Sequence, residues 1–458
     1  MHRRPPGLGA TALLGLGLLA LLLRLPGLDR SLWYDELFTL TQFARSIGDA
    51  ATRQIAANNH PLASLLACAA SSVSQGEVGL RLPFVFLGAL GVVALAWVTS
   101  AWVDRRTGLV AGALLAVAPA HVLVSQQVRG YAGALLASAI VLGCFLATLR
   151  ARPWGGDRLA LPGLVLALGL GAWSHATALA VAPGLIVLAL AAPSLHLASR
   201  RGRRRALGGL AGGVALSALL YAPMLARLLG FVWRHGLLVE VATPLAPGPL
   251  EVGQLGEVLG GGSALLAGLL PPLAVLGAVA LLRSRRTRLV GLTLLVPVLS
   301  AAALLALRPL GYPRFFLFLL PALLVLAGHG LVAAAGRRPW IALGLCVCLA
   351  PATAEVRRAA GEELMDYRGA VRLAAARATA LGTGVVGAGP GAELLAVYDP
   401  HVRVAEDRFV GSVVIVPLPG WLLTPAAPRE LLYGGAFADP VVLPGREGHV
   451  VVFAPRSE

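Results

Sequence analysis

LGATALLGLGLLALLLRLPGLDRSLWYDE, residues 8–36, sets an apolar run of membrane-crossing length directly before an acidic motif, Arg30-Ser31-Leu32-Trp33-Tyr34-Asp35-Glu36. A bilayer crossing takes roughly 20 apolar residues. The run at 8–26 is followed by ten more, at 80–102, 108–124, 131–149, 159–174, 177–196, 206–229, 264–282, 289–307, 314–335 and 340–355. Carboxylates placed just beyond the first crossing either anchor the chain at the membrane rim or do chemistry there.

Composition supports the same reading. Of 458 residues, 57% are hydrophobic and only 13% charged, unlike an ordinary soluble domain. A net charge of +16 could suggest nucleic acid, but all 38 basic residues are Arg and they cluster between apolar runs. The clusters are Arg3-Arg4, Asp104-Arg105-Arg106, Arg200 to Arg205, Arg283 to Arg288 and Arg337-Arg338. Counting alternately through the runs puts every cluster on the side of the N-terminus, the pattern of short cytoplasmic loops. No basic face with interleaved aromatics speaks for a nucleic-acid partner. The first run lacks a small-x-small cleavage site and reads as an uncleaved helix. Cys68, Cys144, Cys346 and Cys348 form no framework and read as buried thiols.

This parity places the N-terminus inside and residues 27–79, 125–130, 230–263, 308–313 and 356–458 outside. In the first outer loop, 27–79, Trp33, Leu37, Leu40, Ala44 and Ile47 recur at helical spacing and predict one amphipathic helix on the membrane surface. Asp35 lies about 200° from Trp33 on that helix, away from lipid. His60-Pro61 opens a second interfacial helix over 61–73. The tail changes character: Asp366 to Ala380 predicts a helix, and Val385-Val386, Val413 to Val416 and Val450 to Phe453 predict strands. Gly387-Ala388-Gly389-Pro390-Gly391 reads as a tight turn rather than a phosphate loop, because its Pro lacks an amide donor. The expected fold is therefore an all-α polytopic membrane domain, 1–355, of about 11 transmembrane helices, with a small extracytoplasmic α/β domain at 356–458.

Several outer-side residues carry chemical interest, each with two open readings. Asp35 and Glu36 are either a helix N-terminal acid pair complementing the dipole or a source of a general base at the water–membrane boundary. Arg129, in Ser125-Gln126-Gln127-Val128-Arg129-Gly130-Tyr131, either snorkels to lipid phosphates or grips a substrate phosphate with its planar fork. Gly130 beside it permits close backbone approach. Arg314, in Tyr312-Pro313-Arg314-Phe315, carries the same two readings. His60 and His175 are either structural hydrogen-bonding residues or site residues. No D-x-D, H-E-x-x-H or C-x-x-C pair is present, so a dedicated metal site has little support. His60 with Asp35 and Glu36 is the grouping that would hold a divalent ion, and no other cofactor is called for.

The motifs Ser31-Leu32-Trp33-Tyr34-Asp35-Glu36, His60-Pro61-Leu62, Gly79-Leu80-Arg81-Leu82-Pro83, Ser125-Gln126 to Tyr131 and Pro313-Arg314-Phe315 occur in one order over about residues 8–335. In that order they resemble the GT-C glycosyltransferases that use polyprenyl-phosphate sugars. The likeness is closest to the family 39 type, with its protein O-mannosyltransferases, and to the aminoarabinose and galacturonic acid transferases of lipid A. The resemblance implies a sugar donor on a lipid monophosphate and an extracytoplasmic glycan, lipid or protein acceptor, in a multi-pass inner-membrane enzyme. It implies Asp35 as base, Glu36 orienting an Arg or the acceptor, Arg129 and Arg314 at the phosphate, and His60, Tyr131 and His175 lining the site. The chain departs at Gln127, where many relatives carry a second carboxylate. The alternative is a transporter or flippase of an anionic lipid-linked substrate, which predicts ionisable residues at mid-membrane and broken helices. Arg24, Arg227, Arg283 and Arg308 instead fall near span ends.

Overall fold

A computed structural model describes residues 8–53, 59–150, 157–235, 264–307, 313–336, 352–354, 356, 358, 365–387, 392–404, 413–419, 441–443 and 448–454. Within these, apolar sequence becomes helix because a helix satisfies its own backbone polar groups where water is absent. Five helices are long and apolar enough to cross a membrane: Glu77–Trp102, Tyr131–Arg150, Arg200–Arg227, Leu265–Arg283 and Phe316–Ala335. Shorter apolar helices, among them Ala10–Arg24, Arg158–Ser174, Ala176–Ala191 and Arg288–Ala303, pack beside them. Leu14, Leu18 and Leu22 on the first helix, and Phe86, Leu90 and Trp97 on a later one, are left exposed. Apolar faces uncovered by protein at this density are lipid-facing surface, and the chain is a multi-pass membrane protein.

In chain order the first helices are α1 (Ala10–Arg24), α2 (Tyr34–Phe38), α3 (Ile47–Thr52), α4 (Pro61–Ser71) and α5 (Glu77–Trp102). Next come α6 (Arg105–Val117), α7 (Pro119–Ser125), α8 (Tyr131–Arg150), α9 (Asp157–Ser174), α10 (Ala182–Ala191) and α11 (Arg200–His235). The bundle closes with α12 (Ala264–Arg283), α13 (Arg288–Leu307) and α14 (Leu320–Ala335). Short 3₁₀ turns, Ala176–Val181 and Pro313–Leu319, lead into α10 and α14. Close helix packing in lipid favours small residues. A Cβ on Gly277 of α12 would strike the Leu326 carbonyl of α14, and one on Gly330 would strike that of Leu273, so this pair of helices meets backbone to backbone.

Two expectations are corrected. The span expected over 108–124 is two helices, α6 and α7, bent by 60°. Pro119 has no N–H to continue the ladder and holds Ala118 out of the helical region, at ψ 115°. The single amphipathic helix expected from Trp33 to Ile47 is three pieces. After α2 the chain makes a π turn, Thr39–Phe43, whose wider winding rotates the stripe; the Ser46 hydroxyl then accepts from the Asp49 N–H at 3.0 Å and starts α3 afresh. Ile47 is consequently 72% exposed, whereas Trp33, Leu37 and Ala44 are buried in protein rather than laid on a membrane surface. A helix does occupy the 61–73 stretch, as α4. The 340–355 run, all but three of its residues, lies outside the described residues, as do 388–391 of the glycine-rich turn and the side chain of Arg314.

The tail forms α15 (Tyr367–Leu381) and strands β1 (Val385–Gly387), β2 (Arg403–Val404), β3 (Val413–Pro419), β4 (Val441–Leu443) and β5 (Gly448–Phe453). The sheet order is β2-β1-β3-β5-β4, with β2, β1 and β3 parallel and the remaining pairs antiparallel. Asp366 caps α15 by accepting from the Gly369 N–H at 2.7 Å, and Gly382 ends it at φ +64°. Tyr367, Ala370, Val371, Ala374 and Ala378 share one core with sheet residues Val413, Ile415, Val450 and Val452. That core continues without a break into Leu32, Trp33, Leu37, Leu80 and Phe84, so the tail is packed onto the segment that carries the acidic motif.

Candidate active site

Five segments meet at one end of the bundle: the loop from α1 through α2, the start of α4, the start of α5, the 126–131 turn and the end of α9. Their hub is Glu36, fully buried, with Arg81 of α5, 1% exposed. Glu36 Oε2 takes Arg81 Nη2 at 2.6 Å and Oε1 takes Nε at 3.0 Å. The same carboxylate accepts the Val128 N–H at 2.9 Å and the Trp33 N–H at 3.2 Å. Arg81 Nη1 donates to the carbonyls of Leu28 (2.8 Å) and Arg30 (2.7 Å), and Nη2 also to that of Ser31 (3.1 Å). A guanidinium has five N–H groups, and all five are used. One ion pair therefore shapes the 28–36 loop and ties it to the 126–131 turn.

Gln126 reinforces this tie. Its Nε2 donates to the carbonyls of Arg24 (2.9 Å) and Pro26 (2.7 Å), and its Oε1 accepts from Arg30 Nη2 at 3.1 Å. The bend at Pro119 is what lets α7 deliver this turn beneath the loop.

Asp35, 8% exposed, and Arg129, 3% exposed, come together here. Arg129 Nη2 lies 3.6 Å from Asp35 Oδ2, an ion-pair contact longer than a hydrogen bond, and Nη1 donates to Thr39 Oγ1 at 3.3 Å. Thr39 in turn donates its hydroxyl to the Asp35 carbonyl at 2.8 Å. Beside Arg129, the His60 and His175 rings stack at 4.4 Å between centroids, and Tyr131 lies 4.5 Å from His175. His175 Nδ1 and Thr177 Oγ1 are 2.7 Å apart, which fixes that ring.

Gly130 explains how the two groups share one wall. A Cβ there would collide with the Ser174 carbonyl and come within 3.2 Å of His60 Cβ. Ser174 Oγ meanwhile donates to the Gly130 carbonyl at 2.7 Å. The close approach expected at Gly130 is thus to the chain's own backbone. Gly130→Ala is expected to destabilise the protein by about 1–3 kcal/mol, the usual cost of forcing atoms into a packed site. Thermal unfolding of the purified variant checks this, and an unchanged midpoint would contradict the packing.

Of the residues singled out in the sequence, Asp35 and Arg129 form one group and His60, Tyr131 and His175 another. Glu36 turns away from both, towards Arg81. Among the described residues no three His, Cys, Asp or Glu side chains gather into an ion-holding group. Arg81, within the Gly79 to Pro83 motif, is a functional residue that sequence reasoning misses. The signal for it was a lone Arg one turn inside an apolar helix, which needs a buried carboxylate.

No family model and no curated protein sequence matches the chain. Solved structures do resemble it. ArnT from Cupriavidus metallidurans in the apo state is 16% identical, with 96% of this chain and 97% of that one covered at a TM-score of 0.61. The same protein bound to undecaprenyl phosphate is 15% identical over 97% and 98%, at 0.56. The archaeal oligosaccharyltransferase AglB from Archaeoglobus fulgidus, in complex with an inhibitory peptide and a dolichol-phosphate, is 14% identical over 86% of this chain and 64% of its own, at 0.55. The chain therefore shares the fold of these solved structures.

Proposed function

We propose that this protein is an inverting glycosyltransferase that moves a sugar from a polyprenyl-phosphate donor to an acceptor outside the cell membrane, with Asp35 as general base. The observation that carries the reading is the buried Asp35–Arg129 pair, 3.6 Å apart, on a fold shared with transferases solved in complex with undecaprenyl phosphate and dolichol-phosphate. On this reading the transmembrane domain spans 1–355 with eleven crossings in the inner membrane. The N-terminus is cytoplasmic, and the 356–458 domain and the site face outward.

The chemistry follows from the groups present. Asp35 takes the proton of an acceptor hydroxyl or amine, whose heteroatom forms a bond to the anomeric carbon as the carbon–oxygen bond to phosphate breaks. The electron pair leaves with the phosphate, which needs no protonation, so one base suffices where a glycosidase uses two carboxyl groups. Charge grows on the departing phosphate, and a guanidinium fork is suited to hold it. An incoming phosphate draws Arg129 from Asp35 and leaves the carboxylate available for the acceptor, so donor binding prepares the base. Arg314 is assigned a second phosphate contact, and His60, Tyr131 and His175 the wall of the sugar pocket. Glu36 serves as a positioning residue through Arg81. The broken α6–α7 helix, a feature also expected of transporters, here has a use in presenting the 126–131 turn.

The test is transfer by purified protein in lipid nanodiscs offered radiolabelled polyprenyl-phosphate sugars and a membrane extract. Arg129→Ala is expected to weaken donor binding by about tenfold to a hundredfold, the worth of a hydrogen bond to a charged group. Arg129→Lys should restore only part of this, since a point charge lacks the fork. Unchanged donor affinity in Arg129→Ala rules out the phosphate role.

A further inference from the structure

The loop that bears the acidic motif is held from two sides. From within the bundle Arg81 gathers the carbonyls of Leu28, Arg30 and Ser31. From the other side two residues of the tail reach the same loop. Tyr398 Oη accepts the Leu32 N–H at 2.7 Å and the Ser31 hydroxyl at 3.3 Å. Arg368 donates its backbone N–H to Ser31 Oγ at 3.1 Å and its Nη2 to the Asp29 carbonyl at 2.8 Å. Both tail residues also converge on Glu77 of α5, Arg368 Nη1 at 2.9 Å and the Tyr398 hydroxyl at 3.4 Å.

Glu77 and Arg81 are four residues apart, so one face of α5 carries both anchors. Arg81 holds Glu36 and the inner side of the loop, and Glu77 holds the two tail residues that grip its outer side. Leu32 is three residues from Asp35 with no intervening flexible segment, since Trp33 is the N-cap of α2. A displacement of Leu32 therefore displaces Asp35. Burial raises the pKa of the Tyr398 hydroxyl above its ordinary value, which keeps its proton for Glu77 and its lone pairs for the loop.

We propose that the C-terminal α/β unit is a working part of the transfer site: Tyr398 and Arg368 are positioning residues that hold Ser31-Leu32, and through it Asp35, in reactive geometry. This inference rests on the transferase reading above. It assigns the tail a role in the chemical step beyond stability, although neither residue touches substrate.

The test compares wild type with Tyr398→Phe and Ser31→Ala in nanodiscs, using the labelled donor and membrane extract. Tyr398→Phe is expected to lower kcat on the order of 10²-fold, the effect of a misplaced catalytic group, with KM for the donor within about twofold. Hydrogen exchange of the 28–36 peptide should quicken by about threefold to tenfold, since the Leu32 amide loses its acceptor. Ser31→Ala, which keeps the Tyr398–Leu32 contact and removes the acceptor of the Arg368 N–H, should give a smaller loss of kcat in the same direction. Wild-type kcat in Tyr398→Phe or unaltered exchange of the peptide would each overturn the proposal. Absence of transfer by wild type with every donor would overturn the transferase reading and the claim on kcat with it. The peptide's exchange in Tyr398→Phe would then still decide whether the tail holds the loop.

Discussion

Asp35→Asn is expected to cut sugar transfer by about 10²- to 10⁴-fold, the range a positioned general base contributes, while the protein folds and binds lipid phosphate as before. Asn has the same shape, so the change removes basicity with little loss of packing. Two neighbouring contacts do not depend on the carboxylate: Thr39 bonds the Asp35 main-chain carbonyl, and Arg129 keeps its own bond to Thr39 Oγ1. Nor can Glu36 take over, because its two oxygens already accept four hydrogen bonds from Arg81, Val128 and Trp33. Donor binding should hold or tighten slightly, since Arg129 no longer has a carboxylate competing for it. Transfer within twofold of wild type would end the case for Asp35 as the base, and loss of transfer together with loss of folding would be read from the unfolding midpoint.

The bundle was legible in the sequence because hydropathy reports what lipid demands, and lipid demands helices. The tail helix, read over Asp366 to Ala380, was legible for an equally local reason, the Asp366 that caps it. Asp35 and Arg129 could be paired only through the order of short motifs, since they lie far apart in the chain. What escaped the sequence is of two kinds. The π turn at Thr39–Phe43 breaks a stripe that is periodic on both sides, and nothing in the residue types announces an extra residue per turn. The other kind is long-range polar pairing: Glu36 with Arg81, Gln126 with the Arg24 and Pro26 carbonyls, and Tyr398 with Leu32. Periodicity says which face of a helix is apolar and nothing about which buried charge finds which partner. The short strands β2 and β4 were missed because two or three residues carry too little pattern to separate from loop.

Glu36→Gln is expected to destabilise the protein by about 3–5 kcal/mol, the cost of leaving a buried charge without its partner, and to abolish transfer as a consequence. The amide would keep two acceptor lone pairs on one oxygen but would present N–H groups where Arg81 Nε or Nη2 already donates. Arg81→Lys should fail similarly, because three ammonium donors cannot reproduce contacts to Leu28, Arg30, Ser31 and both oxygens of Glu36. The measurement is the thermal midpoint in detergent set beside transfer rate for both variants. The two quantities separate the roles open to the acid pair. A Glu36 that touched substrate would, as Gln, keep the wild-type midpoint and lose only turnover, whereas a hub residue must lose both together. The full use of its oxygens by protein donors argues for the hub. In that arrangement the motif divides its labour between adjacent residues: Glu36 faces inward to build the loop, and Asp35, one residue and about 100° away on the same turn, is left to face Arg129 and the chemistry.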